Sequence, residues 1–274
     1  MGEVGEMKLS RCGKNSTNDI CPFCKNTGWE DVDYKGQKAS VECRCGMFKK
    51  NRMNNRLKFA ALPESFQNTK LSNFDISIYK SKESQKKVST AMKVIEYWLK
   101  NLDAMKENGI GLYLYSYAKG SGKTRMAASI ANELIYEKKI QVKFATSLQI
   151  LNEIKATWNK NDSLISENKL MHFLSITEIL IIDDFGMEKH KDCKDWIDDK
   201  FNDIINYRYN SKKVTIFTSN LPLDQLKYDD RITNRIMERT FQIPFPEECI
   251  REIIAKQNMM ELIGAMRREE NNCG

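Results

Sequence analysis

Histidine is nearly absent from this sequence. Only His172 and His190 occur among 274 residues, so chemistry resting on imidazole is not expected. Long apolar runs are missing as well, and no stretch approaches the ~20 residues that span a bilayer. The first ten residues are polar and carry no signal-peptide core. Met1-Gly2 opens the chain, but Glu6 stands where a myristoylation signal needs Ser or Thr. The expected location is cytoplasmic, with no membrane partner, and in that compartment the eight cysteines read poorly as disulfides. No internal repeat is found.

What is present allows one large domain and one small one. The chain is 41% hydrophobic and 30% charged, with a net charge of +7. The charge is uneven: residues 1–60 hold 12 Lys/Arg against 7 Asp/Glu, the rest 32 against 30. A basic end suggests an acidic partner, nucleic acid or protein. Four metal-bound thiolates would reduce the excess in residues 1–60 to about +1 before the ion's own charge is counted. The positive charge then survives locally in Lys49, Lys50, Arg52, Arg56 and Lys58, where no acid intervenes.

The stretch from Leu112 to Thr124 organises the chain. Leu112-Tyr113-Leu114-Tyr115 reads as a buried strand, Gly120-Ser121-Gly122 as a loop, and Lys123-Thr124 as a helix start. Strand, glycine loop and helix in that order are the context of a phosphate-binding loop. Gly120 and Gly122 let backbone N–H groups turn inward around phosphate oxygens, and the helix directs its positive end at the same anion. Lys123 supplies a charge for the β- and γ-phosphates, and the Thr124 hydroxyl suits Mg²⁺. The usual G-x-x-x-x-G-K-[ST] pattern is broken at its first glycine, where Tyr117 stands. The alternative is a glycine turn before an ordinary helix.

Downstream, Ile179-Leu180-Ile181-Ile182 followed by Asp183-Asp184 reads as a buried parallel strand that delivers acids to its C-terminal edge. In a nucleotide site Asp183 would hold the Mg²⁺ shell, and Asp184 would orient or deprotonate the attacking water. Without one, the same residues are a strand and an Asp-rich turn. Val214 to Ser219 reads as a β-branched strand, and Asn220 at its end is placed either to reach water or the γ-phosphate or simply to form a turn before Leu221-Pro222. Arg231 and Arg235 lie four apart on one helix face.

The helical pattern predicts a basic helix over 46–60, which either docks on a partner or is a solvated linker. It predicts a long helix from about Lys82 to Leu102, others after the phosphate loop and through Leu148–Trp158 and Trp196–Ile205, and a last one from Glu247 to about Arg268. Strands are predicted at Val142–Thr146 and Phe241–Phe245, residues 159–168 read as a loop, and residues 1–19 as disordered.

Near the N-terminus, Cys21-Pro22-Phe23-Cys24 and Cys43-Arg44-Cys45 are separated by 18 residues. Four thiolates suit a tetrahedral structural Zn²⁺. About 25–40 residues cannot bury enough surface to fold alone, whereas structural zinc supplies roughly 10–16 kcal/mol. An iron–sulfur cluster or inert thiols are the alternatives, and Cys12 is a candidate substitute ligand. Cys193, Cys249 and Cys273 read as ordinary thiols.

The alternation of strands and helices over 110–245, with acids after the third strand and Asn after the fourth, resembles an AAA+ ATPase. The finer resemblance is to bacterial and phage helicase loaders, the DnaC/DnaI-like family. It rests on the cysteine-bearing N-terminus, Leu62-Pro63 with Phe66 and Phe74, the string Ile182-Asp183-Asp184-Phe185-Gly186, Thr218-Ser219-Asn220, and Arg231/Arg235. It covers roughly residues 20–260.

The resemblance implies an α/β fold: an AAA+ P-loop domain with a parallel sheet flanked by helices (61–274), preceded by a small zinc-binding module and basic helix (20–60). It implies an ATP-controlled protein that binds the replicative helicase, helps deliver it to single-stranded DNA, and self-assembles. The cis site would comprise Gly120, Ser121, Gly122, Lys123, Thr124, Asp183, Asp184 and Asn220. Arg235 would be a finger reaching a neighbour's ATP, with Arg231 beside it and Arg251 as a sensor arginine. Asp184 stands where many AAA+ proteins have Glu, which implies slow hydrolysis. An IstB-like transposition ATPase and a non-hydrolysing ATP-locked adapter are rival readings.

Overall fold

A computed structural model describes residues 20–34, 36–158, 163–187 and 194–272. The expected disordered tail at 1–19 and the thiols Cys12, Cys193 and Cys273 lie outside the described residues. The chain divides into two compact units that meet between Phe59 and Ala60.

In the first unit, β1 (Trp29–Tyr34) and β2 (Gln37–Glu42) form an antiparallel hairpin, and α1 spans Met47–Ala60. The hairpin was not foreseen, because its strands alternate polar with half-buried residues and carry no continuous apolar face. Gly28 is required where it stands. Its φ is +91, and a Cβ there would lie 2.5 Å from the Phe48 Cα. That close approach seats α1 on the cysteine turn, where Asn51 also donates to the Asn26 carbonyl at 3.0 Å.

The second unit is a five-stranded, wholly parallel sheet. Its strands are β3 (Gly111–Tyr115), β4 (Val142–Thr146), β5 (Ile179–Asp183), β6 (Val214–Ser219) and β7 (Thr240–Pro244). Their order across the sheet is β4-β5-β6-β3-β7. The helices are α2 (Lys82–Lys100), α3 (Leu102–Asn108), α4 (Lys123–Tyr136), α5 (Ser147–Thr157), α6 (Ser163–Ile176), α7 (Lys194–Asn210), α8 (Asp230–Glu238) and α9 (Ile250–Asn272).

Side chains alternate across the strands, so each strand serves two cores. Tyr113, Leu180, Ile182 and Phe217 join buried residues of α5, α6, α7 and α8. The alternate residues Leu112, Leu114, Ile181 and Ile216 are also fully buried. There, α4 packs across β4, β5 and β6 through Ala127, Ile130, Ala131 and Leu134, all 0% exposed. Each such Leu or Ile stabilises by roughly 1.5–3 kcal/mol. No helix among the described residues is long and apolar enough to cross a membrane.

Three sequence expectations are corrected. The helix expected over 82–102 ends at Lys100, because the Asn101 side chain donates back to the Tyr97 carbonyl and a separate α3 follows. Residues 163–168, expected as loop, begin α6. Its Glu167 is spent on Lys200 and the Trp158 indole and does not face solvent freely. The last helix starts at Ile250 and not at Glu247, whose carboxylate is engaged elsewhere.

Candidate nucleotide site and metal centre

The loop between β3 and α4 sits where the sheet's C-terminal edge opens. Gly122 caps α4 with φ +101, and a Cβ there would meet the Tyr79 hydroxyl at 2.9 Å and Phe74 at 3.2 Å. A side chain has no room, and a positive φ favours glycine. Lys123 is 5% exposed. Its Nζ donates to the carbonyls of Ser116 (3.1 Å) and Ala118 (3.0 Å) and to Ser121 Oγ (3.2 Å). Burial lowers its pKa to about 8, opposed by Asp184, Glu247 and Asp183. It therefore remains largely protonated at neutral pH while held inside the loop.

Asp183 ends β5 and is 3% exposed. Burial pushes its pKa up to about 6, against the hydroxyls of Thr218 and Thr124. Thr218 serves both acids: its hydroxyl donates to Asp183 Oδ1 at 2.5 Å and accepts from the Asp184 N–H at 3.0 Å. Asp184 adopts φ +54, a left-handed conformation that Asp tolerates better than most residues. Its carbonyl accepts from Ser147 Oγ at 3.0 Å. These bonds from α5 and β6 fix a turn that carries the Asp184 carboxylate into a cavity.

That cavity, about 440 Å³, is lined by Lys119 to Arg125, Asp184 and Asn220, with Phe66, Met187, Ile250, Arg251 and Ile254 also on its wall. The structure thus brings together Gly120, Ser121, Gly122, Lys123, Thr124, Asp184, Asn220 and Arg251, with Asp183 beneath. It does not bring in Arg231 or Arg235. Arg231 pairs with Asp229 through two hydrogen bonds of 3.0 Å. Arg235 donates to Asn202 Oδ1 at 2.9 Å.

Sequence reasoning missed several residues here. The Glu247 carboxylate accepts from the N–H groups of Tyr117 (3.2 Å) and Ala118 (2.8 Å) and from Ser116 Oγ (3.2 Å). Tyr117 keeps an ordinary negative φ, so glycine is not needed at that position. Its hydroxyl accepts from Gln225 Nε2 at 2.7 Å. Cys249, read as an ordinary thiol, lies against Gly120, whose Cβ position is 3.0 Å from the Cys249 sulfur. No local motif marks residues 130 positions from the loop they touch.

As a nucleotide site the arrangement fits. A cavity of this size is lined by a glycine loop at a helix N-terminus, a buried cation, a hydroxyl and paired acids. These suit a polyphosphate with a hard divalent cation such as Mg²⁺.

In the first unit, Cys21, Cys24, Cys43 and Cys45 place their sulfurs within 4.8 Å of one another. Cys21–Cys43 is 3.8 Å and Cys24–Cys45 is 3.4 Å. Zinc–sulfur bonds of ~2.3 Å in a tetrahedron set sulfurs about 3.8 Å apart, so the cluster fits one Zn²⁺. The Cys24 backbone N–H helps lower the Cys21 thiol to about 6, while burial and neighbouring sulfurs push those of Cys43 and Cys45 up, so metal binding here would release protons. Phe23, between the first pair, remains 41% exposed.

No family model matches the chain. The replicative helicase loader DnaC of Buchnera aphidicola subsp. Baizongia pistaciae is 29% identical over 188 residues, 68% of this chain and 70% of that protein. The replicative helicase loader DnaI of Bacillus subtilis is 31% identical over 157 residues, 53% of this chain and 48% of that one. Among solved structures, the DnaC helicase loader superposes with a TM-score of 0.55 at 21% identity, covering 67% of this chain and all of that one. That likeness shows that the two chains share a fold.

Proposed function

We infer, from a chain that is DnaC/DnaI-like in sequence and an AAA+ protein in fold, that it is an ATP-controlled helicase loader. It binds the replicative helicase and helps deliver it to single-stranded DNA. The observation that carries this is the cavity where Lys123, Thr124, Asp184 and Asn220 converge above Asp183, in a chain whose relatives bear the name of loaders. Lys123 binds phosphate, Thr124 and Asp183 hold Mg²⁺, and Asp184 and Asn220 position water. Arg251 meets the phosphates from the α9 side. When bound, ATP supplies the phosphoryl bond whose cleavage switches the protein.

Hydrolysis is slow in this reading, since Asp184 is shorter than Glu and lies in a constrained turn. The cysteine module binds zinc and the helicase. Arg235, with Arg231 beside it, completes a neighbour's site in an assembly. The decisive experiment is affinity capture of the host's replicative helicase with the purified chain, followed by ATP turnover with and without single-stranded DNA. The expected result is helicase capture and turnover stimulated by DNA or assembly. Capture without turnover would instead identify a non-hydrolysing adapter, and no capture would remove the loader reading.

A further inference from the structure

Resting on the nucleotide-binding reading above, we propose that Tyr79 is a positioning residue of the phosphate loop. Its hydroxyl, together with the Ile250 N–H, pins two successive loop carbonyls outward and thereby turns the N–H groups of Ser121 and Gly122 toward the anion. Tyr79 is 0% exposed, and its hydroxyl donates to the Ser121 carbonyl at 2.7 Å. The Ile250 N–H donates to the Gly120 carbonyl at 3.0 Å.

A peptide group is planar and trans, so its C=O and N–H point in opposite directions. The Ser121 carbonyl shares a plane with the Gly122 N–H, and the Gly120 carbonyl shares one with the Ser121 N–H. Pinning each oxygen to a group outside the loop fixes the opposite direction for each hydrogen. An unpinned peptide flanked by glycines with φ of +77 and +101 is free to rotate and present its carbonyl to the anion. Phosphate meets a concave set of N–H donors only if that rotation is prevented.

The two pins come from opposite ends of the domain. Tyr79 precedes α2, and Ile250 opens α9. Tyr79 is itself held in place. Its carbonyl accepts from Gln85 Nε2 at 2.8 Å, and the Glu248 carboxylate accepts from the Lys80 and Ser81 N–H groups. Phe74 sits beside it under Gly122, with the Arg125 guanidinium 5.8 Å from its ring centre. Burial raises the Tyr79 phenol well above its ordinary value, so it stays a donor at every physiological pH.

The test is calorimetric titration of Mg·ATP and Mg·ADP into wild type, Tyr79→Phe, Ile250→Pro and Lys123→Ala. Phe keeps the ring and deletes the hydroxyl. Proline is tolerated at the first position of a helix and removes the N–H there together with the buried Ile250 side chain. Tyr79→Phe and Ile250→Pro should each weaken both nucleotides about tenfold, the scale of one hydrogen bond serving a charged group, while the apo protein's thermal transition remains cooperative and Lys123→Ala loses tight binding. A purely structural role would lower the melting temperature and leave the affinity of the folded protein unchanged.

Wild-type affinity in both variants, with Lys123→Ala defective, overturns this proposal and spares the nucleotide reading. Absence of nucleotide binding by wild type overturns both. If Tyr79→Phe does not fold, Ile250→Pro decides alone.

Discussion

At the residue scale, the site concentrates unfavourable burial where function needs it. Lys123 and Asp183 are each at most 5% exposed, and burial moves each toward its neutral form. Lys123→Ala should abolish tight ATP binding, and unchanged affinity in a titration would contradict the phosphate-loop reading. Asp183 permits a sharper statement. Its folded pKa of about 6 lies above the ordinary 3.8, so its ionisation opposes folding. The penalty is absent below pH 3.8, grows between 3.8 and 6, and is complete above 6. That rise corresponds to about 3 kcal/mol as an upper figure. Asp183→Asn keeps the acceptor for Thr218 and removes the charge. Without nucleotide or Mg²⁺ it should melt higher than wild type at pH 8 and equally at pH 4, while losing Mg²⁺-dependent hydrolysis. An equal difference at both pH values would show that charge burial is not the cause.

At the element scale, α6 shows how the fold is held and why part of it was hidden. Arg208 of α7 is 1% exposed and bonds no carboxylate among the described residues. Its guanidinium donates to the carbonyls of Leu174, Ser175, Thr177 and Val214 and to Thr215 Oγ. The first two lie in the last turn of α6, where a cation complements the helix dipole. Arg208→Leu would leave these carbonyls buried without donors, at about 1–3 kcal/mol each. A loss of at least about 3 kcal/mol in denaturant unfolding is expected, and a loss below 1 would mean water replaces the guanidinium.

Such long-range partners are what sequence reading cannot supply. The strand before the phosphate loop, the one delivering Asp183 and the one ending at Asn220 were legible, because continuous apolar runs end in chemically specific residues. Helix α6 was not, since Glu167 looks like a solvent residue until Lys200 and Trp158 arrive from other elements. Glu247 and Tyr79 were invisible for the same reason, and the β1–β2 hairpin was hidden because its strands carry no continuous apolar face and four cysteines that would hold a metal stand where a core would. That last point is testable. Purified protein should carry about one zinc per chain. Cys21→Ser or Cys43→Ser should lose the metal and helicase binding while ATP affinity persists. Metal analysis that finds no zinc in protein made with zinc present would end the idea.

At the scale of the whole molecule, the question is whether one chain completes its own site. The cavity gathers a phosphate loop, paired acids, Asn220 and Arg251, but neither arginine of α8. Arg235 is half-buried against α7, donating to Asn202 at 2.9 Å. Two roles are open to it. As a tether between α7 and α8 it contributes what one polar contact near the surface does, roughly 0–1 kcal/mol, and its loss would barely alter turnover. As a finger supplied to a neighbour's phosphoryl-transfer site it is worth roughly 10³–10⁵ in rate, or about 4–7 kcal/mol. The two differ enough for one substitution to separate them. Arg235→Ala should leave the fold and ATP binding nearly intact and stop assembly-stimulated hydrolysis. Mixing supplies the stricter criterion. Arg235→Ala retains an intact pocket, and Lys123→Ala retains an intact arginine. Where the two meet across one interface, a complete site re-forms and part of the activity should return. A mixture with no activity, from variants that fold and co-assemble, would place Arg235 outside the reaction and leave it as the α7–α8 tether that its bond to Asn202 describes.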